Sequence, residues 1–172
     1  MIYLSITPLV CNVTGSSVST LGLGTCTITV SQAGNANYSA AIPVSQNVSI
    51  FATLDVNAST TSGIQYHAGT DGLLIMRYLL NMTGSALTAG ATGSTAARTD
   101  PAALLAHFNA MRSALDVDGN TVVDPATDGV LILRYLLGLR GSALIAGAVG
   151  VTPAPSRPTA ALIELYLQGL MP

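Results

Sequence analysis

Over residues 1–50 apolar and polar side chains alternate, with Ser, Thr, Val and Asn dominant. A period of two predicts strands at 2–6, 18–21, 25–30 and 48–51. Gly22, Gly24 and the Gly- and Asn-bearing stretch 33–36 mark the turns between them. From Leu54 onward the pattern changes to apolar segments of helix length, which places a boundary near residue 53. The predicted fold class is therefore α+β in two parts: a β domain over 1–53 and an all-α domain over 54–172.

The helical part is internally repeated, about 54–113 and 115–171. Leu54-Asp55-Val56 recurs as Leu115-Asp116-Val117, and Thr70-Asp71-Gly72 as Thr127-Asp128-Gly129. Arg77-Tyr78-Leu79-Leu80 recurs as Arg134-Tyr135-Leu136-Leu137, and Gly84-Ser85-Ala86-Leu87 as Gly141-Ser142-Ala143-Leu144. Ala102-Ala103-Leu104-Leu105 pairs with Ala160-Ala161-Leu162-Ile163. Each unit reads as acidic loop, helix, Gly/Ala-rich connection and second helix. Thr70 and Thr127 are the expected N-caps of the first helices, which extend to about Met82 and Leu139. The second helices are expected over 101–113, capped by Asp100 ahead of Pro101, and over 160–170, capped by Thr159. The repeated Arg-Tyr pair is expected to pack at a helix end, with contact to a partner as the other reading.

Charge sharpens this picture. Only 8% of residues are charged, against 49% hydrophobic, and mean hydropathy is +0.55. Ordinary soluble domains carry about 25% charge, so a surface hidden against other copies or a larger protein is expected. No apolar run reaches the roughly 18 residues of a membrane span. Net charge is −2, Lys is absent and the six Arg are scattered, which argues against nucleic acid as a partner. Residues 1–10 lack the basic start and cleavage site of a signal peptide.

The acids are concentrated. Apart from Asp100, the Asp residues are Asp55 and Asp71 in one group and Asp116, Asp118, Asp124 and Asp128 in another. Four carboxylates within 13 residues repel one another unless a cation joins them. With Asp116 as position 1, Asp118 is position 3, Asn120 position 5, Val122 (through its carbonyl) position 7 and Asp124 position 9. These are the oxygen positions of an EF-hand-type calcium loop. Position 12 is Thr127, so Asp128 is the carboxylate expected to enter from the helix start. Thr121 stands at position 6, where such loops use Gly. In the first loop Asp55, Asn57 and Ser59 take positions 1, 3 and 5, and Asp71 closes a loop four residues longer. Fewer charges predict a weaker second calcium site, and His67, inside the insertion, is expected at the surface because Ca2+ prefers oxygen.

The second loop, followed by Gly129-Val-Leu-Ile-Leu-Arg-Tyr-Leu-Leu-Gly138, resembles a type I dockerin. The resemblance covers about 54–172 and implies two Ca2+ sites, a paired loop-helix fold and a cohesin-like partner. Upstream, Cys11-Asn-Val-Thr, Gly24-Thr-Cys26-Thr-Ile-Thr-Val and Gln32-Ala-Gly-Asn-Ala-Asn-Tyr38 resemble the end of a bacterial immunoglobulin-like surface domain. Two cysteines suggest one disulfide and an oxidising compartment, with two buried free thiols as the alternative. In the immunoglobulin-like pattern Cys11 and Cys26 lie on neighbouring strands and can pair. Such sandwiches have about seven strands and this segment offers about four. The remainder comes from upstream sequence or from another molecule by strand addition.

No nucleophile elbow, phosphate loop, dinucleotide fingerprint or zinc-protease motif is present, and Glu164 stands alone, so an enzyme is not expected. Two functions fit the sequence. One is an extracellular or cell-surface calcium-binding structural subunit that associates with itself, as in a filament. The other is a secreted docking module that binds a cohesin-like partner.

Overall fold

A computed structural model describes residues 1–21, 24–59 and 65–171. The turn expected at Gly22 and residues 60–64 of the longer first loop lie outside the described residues. The chain divides into two units, Met1–Phe51 and Ala52–Pro172. Among the described residues there are five strands, all paired antiparallel, and six α-helices, an α+β content.

The first unit contains β1 (Ile2–Ser5), β2 (Cys11–Thr14), β3 (Ser17–Thr20), β4 (Gly24–Ser31) and β5 (Val44–Ile50). The order β1-β4-β5 forms one sheet, and β2-β3 is a separate hairpin. Strand β2 is additional to the four expected. Its signal was the Gly15-Ser16 pair, a two-residue hairpin loop in which Gly15 takes φ +62°. Strand β5 begins at Val44 rather than 48, because Ser45, Gln46 and Asn47 continue the ladder despite their polarity. In this register Tyr3 lies opposite Val30 and Val30 opposite Val44, and Cys26 lies opposite Val48. These residues therefore share one face. The Cys11–Cys26 disulfide, with Cα atoms 5.6 Å apart, ties the hairpin to that face.

The second unit has α1 (Leu73–Leu79), α2 (Gly84–Thr88), α3 (Pro101–Met111), α4 (Val130–Leu136), α5 (Ser142–Ile145) and α6 (Ala160–Gly169). Helices α1 and α4 are each entered through a five-residue π-helical turn, Ala68–Gly72 and Pro125–Gly129. The N-caps are thus His67 and Asp124, not the expected Thr70 and Thr127. Both first helices also end earlier than expected. Asn81 (φ +59°) and Gly138 (φ +88°) hold the same repeat position and turn left-handed, which stops the helix. The connections expected after them contain the short helices α2 and α5, whose Leu87 and Leu144 are buried. As expected, Asp100 and Thr159 cap α3 and α6, accepting from the N–H groups of Ala103 and Leu162.

The core is built from repeat pairs: Leu54 with Leu115, Val56 with Val117, Leu74 with Leu131 and Ile75 with Ile132 are all 0% exposed. In the second helices the buried stripe is Leu104, Phe108 and Met111 in one unit and Ile163, Leu167 and Leu170 in the other. This shifts the pairing by one residue from the Ala-Ala-Leu alignment, leaving Leu162 43% exposed. The caps set the register, since Asp100 and Thr159 occupy the same place. The first helices approach through their glycines. A Cβ on Gly72 would lie 3.0 Å from Leu133 Cδ1, and one on Gly129 3.0 Å from Met76 Cε. Leu133 and Met76 are themselves repeat counterparts, so the contact is reciprocal.

The six arginines serve this fold largely in matched pairs. Arg77 donates to the carbonyls of Leu87 (3.0 Å) and Ala89 (2.8 Å), and Arg134 donates to those of Leu144 (3.0 Å) and Ala146 (2.8 Å). Each fastens the carbonyl end of a short helix to the preceding long one. This is the helix-end packing expected of the repeated Arg-Tyr pair.

Candidate metal centre

Each acidic loop is folded by its own carboxylates. In the second loop Asp116 accepts from Gly119 (2.8 Å), Asn120 (3.1 Å) and Thr121 (2.9 Å) N–H groups. Asp128, entering from the π-helical turn before α4, accepts from Val117 (2.6 Å) and Asp118 (3.3 Å) N–H on one oxygen. Its other oxygen accepts from Asp124 N–H (2.9 Å) and the Thr127 hydroxyl (3.4 Å). Asp118 accepts from Asn120 N–H (3.1 Å) and from Gly150 N–H (2.7 Å).

The result is a convergence of Asp116, Asp118 and Asp128, one oxygen of each lying within 4.8 Å of the others. Asp118 and Asp128 are 0% exposed. At that separation two full negative charges repel by roughly 3–4 kcal/mol in a medium of effective dielectric about 20. Burial pushes the Asp128 carboxyl up to about 6, and neighbouring Asp118 adds to the shift against the backbone N–H groups that oppose it. The three carboxylates could together hold a cation. The donors are all oxygen, which suits a hard divalent ion.

The other sequence-predicted positions lie in the same loop, where the side chains of Asn120 and Asp124 accept hydrogen bonds. The Asn120 side-chain oxygen accepts from Val122 N–H (2.8 Å), and the Val122 side chain is 45% exposed at the loop tip. One Asp124 oxygen accepts from Ala126 (2.7 Å) and Thr127 (3.2 Å) N–H as the cap of the π-helical turn. The sharp turn is made by Gly119 (φ +72°) and by Thr121 itself (φ +70°).

The first loop repeats the same scheme. Asp71 accepts from Val56 (2.9 Å) and Asn57 (3.3 Å) N–H on one oxygen, and from His67 N–H (3.0 Å) and the Thr70 hydroxyl (3.0 Å) on the other. Asp55 accepts from Ser59 N–H (2.9 Å), and burial raises its pKa. Asn57 holds the place of Asp118. Its amide nitrogen donates to the Thr92 carbonyl (2.8 Å), which orients the side chain, and its oxygen is buried without a hydrogen-bond partner. A buried acceptor left open is costly, and a cation held with Asp55 and Asp71 would satisfy it. The Ser59 hydroxyl lies 3.0 Å from that of Thr95. His67 is exposed, with Nδ1 accepting from Gly69 N–H (3.1 Å).

Sequence reasoning missed the groups that brace these loops from outside. Arg98 donates to the Val56 carbonyl, and Arg157 to the carbonyls of Asp116 and Val117 (2.6 Å for the latter). Short antiparallel contacts accompany them: Arg98 N–H donates to the Asn57 carbonyl (2.9 Å) and Arg157 N–H to that of Asp118 (2.8 Å). The two arginines sit one residue out of step in the sequence repeat, which hid their equivalence. Gly150 is required by space, since a Cβ there would lie 2.2 Å from Asn120 Nδ2. Comparison with known proteins finds no matching family model, no matching curated protein and no matching solved structure.

Proposed function

We propose that this protein is a secreted, non-enzymatic calcium-binding structural subunit. In this reading the second unit is a dockerin-like pair of calcium loops, and the first is a partial immunoglobulin-like β domain. The observation that carries the reading is the convergence of Asp116, Asp118 and Asp128. Asp116, Asp118 and Asp128 would hold one Ca2+, and Asp55, Asn57 and Asp71 a second, weaker one. The absence of His and Cys from the acidic cluster favours Ca2+ over zinc. The ion supplies charge neutralisation. The residues do the rest, joining the start of each loop to the helix that follows it.

At about 1 mM extracellular calcium, a site with a Kd of about 10 μM adds about 2.7 kcal/mol to folding stability. That is a large share of the total for a small domain, so the ion acts as a staple. The disulfide suits an extracellular setting. Self-association is favoured by the first unit, where Tyr3 (43%), Val44 (67%) and Val48 (48%) remain exposed on one sheet face. Strands β1 and β5 are the sheet's edges, a template for strand addition by a second copy.

The test is thermal unfolding in EGTA, in Mg2+ and in Ca2+, with particle size measured in parallel. A calcium-specific rise in Tm with concentration-dependent polymers supports the proposal. No rise removes the calcium reading. A rise in a strict monomer replaces the assembly with a docking module for a cohesin-like partner.

A further inference from the structure

The two repeats differ beside the tyrosine of their first helices. In the second unit Arg140 lies over the Tyr135 ring, 3.6 Å from its centroid, and donates to the carbonyls of Tyr135 (2.8 Å) and Leu139 (2.7 Å). The repeat counterpart of Arg140 is Thr83. In the first unit Tyr78 is instead approached by Arg112 from the end of α3, at 5.8 Å from the ring centroid. Beside Thr83 lies a cleft of about 260 Å3 whose lining includes Tyr78, Asn81, Thr83, Leu105, Asn109 and Arg112.

The cleft is rich in donors and its lining contains no carboxylate. Tyr78 is stacked on Phe108 (centroids 4.6 Å apart), and its hydroxyl donates to Asn109 Oδ1 (3.0 Å). That bond directs the Asn109 carbonyl oxygen to Tyr78 and leaves its NH2 to face other partners. Arg112 donates to the Tyr78 hydroxyl (3.3 Å). Among the described residues it is the arginine whose side chain donates to no backbone carbonyl; the other five each do. Its fork is available to an outside acceptor, with the Thr83 hydroxyl and the Asn81 amide on the same cleft.

We infer that this cleft binds a carboxylate group, with Arg112 as the charged anchor and Asn109 and Thr83 as supporting donors. Planar, paired N–H donors match a carboxylate. The volume admits a single side chain or chain terminus rather than a drug-sized molecule, for which about 300 Å3 or more is usual. An exposed arginine is screened by water, so binding of an isolated carboxylate falls in the millimolar range, about 1 mM or weaker.

The test is a side-chain NMR titration of the full chain in saturating Ca2+. The probes are monocarboxylates, so that chelation of the metal is not the readout. N-acetyl-alanyl-alanine presents a terminal carboxylate, N-acetyl-alanyl-aspartyl amide presents a side-chain carboxylate, and N-acetyl-alanyl-alanine amide presents neither. Saturable shifts of the Arg112 Nε–H and the Asn109 amide with either acid, absent with the neutral amide, support the proposal. The acid that binds more tightly names the source. Arg112→Gln weakens binding by about 10-fold or more. Thr83→Arg, which installs the residue the second repeat already carries there, keeps the fold and abolishes binding. Equal shifts with the neutral amide, no saturation with either acid, or undiminished binding by folded Thr83→Arg would overturn it.

Discussion

The carboxylate of Asp128 accepts the N–H of Val117 at 2.6 Å, tying the turn that opens α4 to the beginning of the loop 11 residues earlier. Its repeat counterpart, Asp71, does the same to Val56 at 2.9 Å. Asp128 thus has two duties, closing the loop through backbone N–H groups and contributing an oxygen to the acidic cluster. Asp128→Asn keeps one acceptor oxygen but removes charge, and is expected to abolish the calcium-dependent stabilisation of the second loop. The measurement is Tm with and without Ca2+, and an undiminished calcium response would count against Asp128 as a ligand.

Asp124 gives a contrasting outcome. Its side chain caps the π-helical turn through Ala126 and Thr127. Asp124→Ala is expected to cost about 1 kcal/mol in EGTA as well as in Ca2+, the typical value of a lost cap. Chemical denaturation under both conditions measures it. A loss confined to Ca2+ would instead make Asp124 a ligand at loop position 9.

The glycines after the two closing acids are set by packing. A Cβ at Gly129 would stand 3.0 Å from Met76 Cε and 3.2 Å from Leu79 Cδ1. An alanine there presses only on mobile side-chain ends, whereas Gly129→Val overpacks the helix pair. The expected cost is about 1–3 kcal/mol, read as a lower denaturation midpoint with an unchanged m-value.

His107 makes stability depend on pH. Burial, with Arg98 adding its charge, lowers its pKa to about 4 from the ordinary 6.5, and Nε2 is buried without a partner. Above pH 6.5 the ring is neutral in both folded and unfolded chains, and the stability is complete. As pH falls from about 6.5 to about 4 the unfolded chain takes up a proton that the folded chain refuses, so stability declines across that window. The second repeat has Tyr166 here, whose hydroxyl donates to the Ala114 carbonyl (3.0 Å) beneath Arg157. His107→Tyr is expected to flatten this part of the profile, as measured by denaturation at a series of pH values.

In the first unit the disulfide joins residues 15 apart. Replacing both cysteines by alanine is expected to cost about 3 kcal/mol in the chain-entropy account. The loss is expected in the β-sheet transition alone, observed by circular dichroism with the calcium response intact.

The strands with alternating apolar residues, the duplicated loops, the Asp100 and Thr159 caps and the acidic spacing were legible in the sequence, because each rests on residues close together in the chain. Period-two alternation reports a strand without reference to its neighbours. Asp116, Asp118 and Asp128 fall within one loop, so counting along the chain is enough to name them as candidate ligands. What escaped was non-local or carried by atypical residues. Asn81 ends α1 as Gly138 ends α4, and the expected helices ran past both. Polar Ser45, Gln46 and Asn47 enter β5 because β4 supplies their hydrogen bonds. Arg98 and Arg157 reach back to carbonyls 42 and 41 residues earlier, a closure that no local pattern encodes. The sequence by itself therefore determined which oxygens are offered and in what order. Tertiary packing decided which of them converge, because the brace that holds each loop shut comes from the segment just ahead of the second helix of its own repeat.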